Sequence, residues 1–100
     1  MVCAIIWAPK ALSDLEKIRH YWEERDPDGV EPVIRSIADA VIRLGNSPFV
    51  GDLRYRTRSR EYREFQGGSY RVYFFVEEAI NRITIQRVWH HARNVPKSFD

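Results

Sequence analysis

The 100 residues hold one cysteine, Cys3, so the chain forms no internal disulfide and no multi-cysteine metal site. Histidine is scarce too: His20 stands apart from the adjacent pair His90 and His91, and no metal and no cofactor are expected. No apolar run approaches the ~20 residues that a membrane-spanning helix needs. The opening Met1-Val2-Cys3-Ala4 lacks the basic and long apolar stretches of a secretory signal, and a reducing cytoplasm is the expected location. A phosphate-cradling glycine loop, a paired-carboxylate site and a serine or cysteine nucleophile arrangement are also missing from the pattern.

Lysine is short as well, and what replaces it is informative. Thirteen of the sixteen basic residues are arginine, a choice that favours two-pronged contact with phosphate or carboxylate over mere solubility. The net charge of +2 is unevenly spread. Residues 1–50 carry six Lys/Arg against eight Asp/Glu, whereas residues 51–100 carry ten against six. The C-terminal half is therefore expected to face something acidic. The length suits one domain, residues 1–100, with a thin core that a partner could supplement.

The pattern predicts an α+β fold in the order β-α-α-β-β-β, a helical hairpin packed on a small antiparallel sheet. Val2 to Ala8, with Cys3-Ala4-Ile5-Ile6-Trp7 at its centre, reads as a short strand buried on both faces, and Pro9 suits the first position of a helix. That helix runs to about Arg25 with Leu12, Leu15, Ile18 and Trp22 on one face and Asp14 elsewhere. Asp26-Pro27-Asp28-Gly29 is a turn. A second helix to Leu44 carries the stripe Val30, Ile34, Ile37, Val41 and Leu44, with Gly45 as its cap. Tyr70, Val72, Phe74 and Val76 alternate with Arg71, Tyr73 and Phe75, which marks a strand. Gly67-Gly68 gives it a hairpin partner around Arg60 to Phe65, and Arg82 to His90 is the last strand.

Three groups of residues could carry function. Arg54, Arg56, Arg58 and Arg60 recur at every second position, so an extended backbone places four guanidiniums on one face, as an anion-binding strip. A solvated loop with scattered charge is the other reading. Arg71 lies on the face opposite Val72; it either stacks on Tyr73 and Phe75 or binds a phosphate. His90 and His91 close the last strand, where adjacent side chains point to opposite faces and at most one joins Arg71. Histidine suits proton transfer near neutral pH, although backbone hydrogen bonding would equally occupy both rings. Arginines with one histidine and tyrosines match what RNA cleavage by 2′-hydroxyl attack requires: a base, an acid and cations for the developing charge.

Taken together, Trp7-Ala8-Pro9-Lys10-Ala11 with Asp14-Leu15 and Ile18, Asp26-Pro27, the Ile37 to Leu44 run and Ser47-Pro48-Phe49-Val50-Gly51 resemble the first half of RelE/ParE superfamily toxins, closer to the ParE-like plasmid-stabilisation branch. Arg60-Glu61-Tyr62, Tyr70-Arg71-Val72-Tyr73-Phe74 and Arg87-Val88-Trp89-His90 resemble the three final strands of the same family, in order over residues 5 to 93. The resemblance implies the toxin of a type II toxin–antitoxin pair, inhibiting growth and held inactive by an acidic, amphipathic antitoxin tail. ParE-like members poison DNA gyrase; RelE-like members cleave mRNA in the ribosomal A site; a relative that has lost toxicity would act only as a binding partner. For a nuclease, Arg71 matches the catalytic arginine and His90 or His91 the C-terminal acid/base. Against that, Tyr62, Arg63 and Glu64 replace the RelE lysine pair, and only Phe99 stands near its C-terminal tyrosine. The expected contacts to antitoxin or target are Arg54, Arg56, Arg58, Arg60, Tyr62, Arg87 and Arg93.

Overall fold

Gly67 and Gly68 mark the hairpin around which the sheet is organised in a computed structural model of the chain, which describes residues 3–49 and 51–92. Strand β1 is Ala4–Trp7, helix α1 is Pro9–Arg25 and helix α2 is Val30–Asn46, separated by a short 3-10 turn at Pro27–Gly29. Strands β2 (Asp52–Arg56), β3 (Glu61–Gly67), β4 (Tyr70–Glu77) and β5 (Arg82–His90) follow. They form one sheet in the order β1-β5-β4-β3-β2. Every neighbouring pair is antiparallel except β1 and β5, which run parallel.

The α+β arrangement of a helical hairpin on a sheet is as expected, with a sheet one strand wider. The added strand is β2, whose five residues are all exposed and so lack the apolar alternation by which strands are recognised. Between β3 and β4 the two-residue turn needs a left-handed residue, which Gly68 supplies at φ 63°.

Both helices pack on one side of the sheet, α1 against β5 and α2 against β3 and β4. The α2 stripe is as expected: Val30, Ile37, Val41 and Leu44 are buried and Ile34 packs beside them. Gly45 differs from its expected role, because the helix continues through it to Asn46 and its bare Cα lets Ile5 approach. On α1 the buried residues are Ala11, Asp14 and Ile18, while Leu12 is 50% exposed. Leu15 and Trp22 pack against the core as expected, so the stripe keeps three of its four residues, widens to Ala11 and takes in Asp14, which the pattern placed elsewhere. β1 is also not buried on both faces: Ile5 and Trp7 join the core while Ile6 is 42% exposed, since no helix covers the other side of this edge strand.

Asp14 is buried because β5 runs on past its neighbour. The β1–β5 pairing stops at Trp7 opposite Ile85, where the Ala8 amide donates to the Ile85 carbonyl and the chain turns into α1. From there Asp14 takes the place of a strand. Its Oδ2 accepts the Val88 amide at 3.0 Å, and its two oxygens accept the Arg87 Nε and Nη2 at 2.8 and 3.0 Å. One carboxylate thereby satisfies a strand-edge donor and neutralises a guanidinium, the arrangement that makes a buried ion pair tolerable.

Replacing Asp14 by Ala leaves the partly buried Arg87 without its counter-charge and the buried Val88 amide without its acceptor, and should lower stability by about 2–4 kcal/mol in urea unfolding. Arg19→Ala, which breaks the exposed pair with Glu31 at 3.4 Å, should change it by less than about 1 kcal/mol. Equal effects would show that the Asp14 clamp contributes nothing beyond a surface pair.

Candidate functional site

The sheet face away from the helices has its own small core. Tyr62 of β3 and Tyr73 and Phe75 of β4 are buried there, with Trp89 of β5 packed against them. No helix provides that cover among the described residues; arginines do. The Arg60 guanidinium lies 4.2 Å over the Phe75 ring and that of Arg87 lies 4.6 Å over Trp89. Flat, weakly hydrated guanidiniums can roof aromatic rings while their edges stay wet, as a lysine ammonium cannot.

At the centre of this face stands Glu64. Arg54 grips it with both prongs, Nε to Oε2 at 3.1 Å and Nη2 to Oε1 at 3.2 Å. Arg71 Nη1 reaches the same Oε2 from the neighbouring strand at 3.8 Å. The Tyr73 hydroxyl lies against Arg71 and Glu64, and burial of the ring pushes its ionisation above the ordinary 10.0, with Arg71 opposing the rise. Glu64 also raises Arg54 further above its already high value, mainly through the hydrogen bonds between them. The result is two guanidiniums, one carboxylate and one phenol, a cluster with positive charge in excess.

The expected row of four guanidiniums does not form. β2 ends at Arg56, and a bulge between Leu53 and Tyr55 makes Arg54 the extra residue, which brings it to Glu64. Arg56 instead pairs with Glu61 at 3.1 Å. Arg58 and Arg60 sit in the turn that follows, where the Thr57 hydroxyl accepts the Ser59 and Arg60 amides and stops the strand. Arg56, Arg58, Arg60 and Arg63 line a bay of about 550 Å³ at the sheet corner together with Glu61, Glu77 and Glu78, and Arg58 has no ion pair among the described residues. Tyr62, taken as a contact residue, is 1% exposed and supports the face from below Tyr55 and Phe75. Arg87 is committed to Asp14, and Arg93 lies outside the described residues.

Nor are the histidines brought to Arg71. His90 is opposite Tyr70 in the β4–β5 pairing, with its ring 5.2 Å edge-on to the Tyr70 ring, on the side that faces the helices. It borders a cleft of about 560 Å³ formed with Lys17, Ile18, Tyr21, Trp22 and Tyr70, in which Trp22 Nε1 donates to the Tyr70 hydroxyl at 3.1 Å. The expected alternation of His90 and His91 fails because the strand ends at His90; the two rings stack at 4.7 Å. His91 Nδ1 must donate to the Ser69 carbonyl at 2.9 Å, whereas His90 Nδ1 accepts the Ala92 amide at 3.1 Å. One ring nitrogen of each is occupied by backbone.

Sequence reasoning missed two members of these sites. Glu64 read only as a residue where lysine was absent, and Asp14 as a surface acid; both take arginine partners from distant segments. No group of three or more metal-ligating side chains is present among the described residues.

The described chain is thus a helical hairpin on one side of a mainly antiparallel sheet, with arginines across the opposite face. The model of the ParE toxin of the type II toxin–antitoxin system parDE matches residues 5–95, and the chain belongs to that family. Among solved structures it is similar to a chain of the ParDE system of Pseudomonas aeruginosa (19% identity, TM-score 0.69, covering 89% of this chain and 96% of that one). It is also similar to a chain of the Mycobacterium tuberculosis RelBE2 toxin–antitoxin complex (21% identity, TM-score 0.64, 91% and 100%) and to a YoeB/ParE toxin from Agrobacterium tumefaciens (18%, 0.57, 88% and 98%). No curated protein matches the chain.

The Tyr73 shift has a testable sign. A phenol whose folded value is raised stabilises the fold fully below pH 10.0 and loses that contribution as pH climbs through the folded value. The phenolate absorbance should show one tyrosine ionising late, only as the protein unfolds in alkali. Tyr73→Phe should remove that step and flatten the fall in stability above pH 10; an unchanged alkaline profile would contradict the assignment.

Proposed function

We propose that this toxin acts by binding, as a ParE-like inhibitor of DNA gyrase that a cognate antitoxin silences in the cytoplasm. What carries the reading is the distance in the fold between charge and proton chemistry. Arg71 lies on the open face, whereas His90 lies on the helix side of the sheet, and both histidines spend a ring nitrogen on the backbone. Ribonucleolytic attack needs a proton-transferring group and a charge-stabilising cation around one phosphate. Beside Arg71 stand the Tyr73 phenol, which burial makes a poorer proton donor, and Glu64, which the Arg54 fork holds and which neutralises part of the charge.

The runner-up, ribosome-dependent mRNA cleavage, keeps one supporting observation: Arg71 and Tyr73 stand side by side on the sheet face away from the helices, a cation next to a buried hydroxyl. The two readings separate in a single pair of assays. Purified toxin should inhibit gyrase supercoiling at micromolar levels and leave mRNA intact in a translating extract. Untouched supercoiling counts against the gyrase reading. Cleavage that survives replacement of both histidines by Ala, but not Arg71→Gln, would establish an enzyme built on Arg71 and Tyr73.

The ParDE and RelBE2 relatives were solved within toxin–antitoxin systems, and charge supports an antitoxin partner here. Glu61 already pairs with Arg56 and Arg63 in the bay, but Arg58 and Arg60 have no ion pair among the described residues and fit an acidic, extended segment laid along the exposed β2 edge, where backbone pairing adds to ionic contact. Replacing Arg58 and Arg60 together by Ala should weaken antitoxin binding at least about tenfold, the equivalent of one charge-assisted hydrogen bond, and reduce its salt dependence. Changing Lys10 and Lys17 should do neither. Equal effects in titration calorimetry would reduce the bay to solvated charge.

A further inference from the structure

We propose that the open face holds an oxyanion-binding site whose resident anion is the protein's own Glu64. This inference is independent of which cellular target the toxin takes. Glu64 belongs to β3 and its two arginines come from the flanking strands, Arg54 from β2 and Arg71 from β4. Both meet one oxygen, Oε2, at 3.1 and 3.8 Å, so their nitrogens are close enough to bind two edges of a single small anion. Neither has another ion pair among the described residues. The bulge that aims Arg54 at this point interrupts the β2–β3 ladder, so the strand gives up regular pairing where the guanidinium turns inward.

The floor is equally specific. Tyr73 is fully buried, with its hydroxyl against Arg71 and Glu64, and Tyr62 and Phe75 wall the same face. The Glu64 side chain is 11% exposed and that of Arg54 44%, so the cradle opens to water on the Arg54 side. A phosphate or sulfate, like a carboxylate, presents a pair of oxygens that a guanidinium fork can bind with two parallel hydrogen bonds. With Glu64 in place the cradle is filled and external oxyanions are excluded. With its charge removed, two guanidiniums and a phenol face each other with no acceptor of full charge, and a small oxyanion completes them. Glu64 thus determines specificity: it turns a face built for anions away from phosphate.

The experiment compares wild type, Glu64→Gln and Glu64→Gln/Arg71→Gln by thermal unfolding in rising phosphate, with chloride holding ionic strength constant. Glutamine keeps the shape and one acceptor while removing the charge. Glu64→Gln should bind inorganic phosphate at least about tenfold more tightly than wild type, seen as a concentration-dependent rise in Tm that the double variant loses. A wild type that responds as strongly, or a double variant that keeps the response, overturns the proposal, because phosphate then binds elsewhere. Should Glu64→Gln fail to fold in chloride, phosphate must restore its folding; a chain unfolded in both buffers overturns it too, since Glu64 would then be packing that no anion replaces.

Discussion

A single carboxylate joins the two layers of this protein. Among the described residues β5 is the longest strand, and its second half has no neighbour on the β1 side, which leaves backbone donors at an edge next to the core. Asp14, one helical turn into α1, accepts the Val88 amide there and clamps Arg87. The same contact fixes the angle at which α1 lies on the sheet, because helix and strand edge now share a pair of oxygens. It also reaches the far face, since the held Arg87 guanidinium lies over Trp89. Without it the cleft that His90, Trp22 and Tyr70 line would lose one wall, and the aromatic bed on the other side would lose part of its roof.

That bed explains the preponderance of arginine. A five-stranded sheet with helices on one side leaves a face wide enough to need cover, and a chain of this length has no third layer to give. Aromatic rings roofed by guanidiniums answer both demands: the rings bury each other and the cations remain available at their edges. Arg60, Arg87 and the Arg54–Glu64–Arg71 cluster all follow this scheme. The charge on the face is therefore partly spent within the molecule, and what remains in excess gathers at the sheet corner around Arg58. A partner is offered a graded surface, apolar at the helix-side cleft and basic at the β2 corner.

Toxins of this architecture share a fold at roughly one residue in five, as the relatives of 18–21% identity illustrate. Folds of that kind host different activities, so activity has to be argued from the side chains on the sheet. In this chain the discriminating positions are few. Glu64 stands beside Arg71, a buried phenol is the neighbouring hydroxyl, and His90 faces the helices.

Much of this was legible in the linear pattern. The α2 stripe, the hairpin at Gly67-Gly68, the alternation from Tyr70 to Val76 and the span of the last strand follow from neighbours one to four residues apart, and short-range periodicity reports such neighbours well. The sequence by itself determined the two helices, the hairpin and an arginine-rich second half. Only the tertiary structure decided where the charges point. Asp14 and Arg87 are 73 residues apart, and a polar residue on an amphipathic helix reads as surface until a counter-ion arrives from another element. The bulge at Arg54 broke a period-2 row by adding one residue, Thr57 ended β2 before Arg58, and the end of β5 at His90 removed the alternation of the histidines. Each outcome depends on strand pairing and packing between segments far apart in the chain, and local spacing carries no information about those.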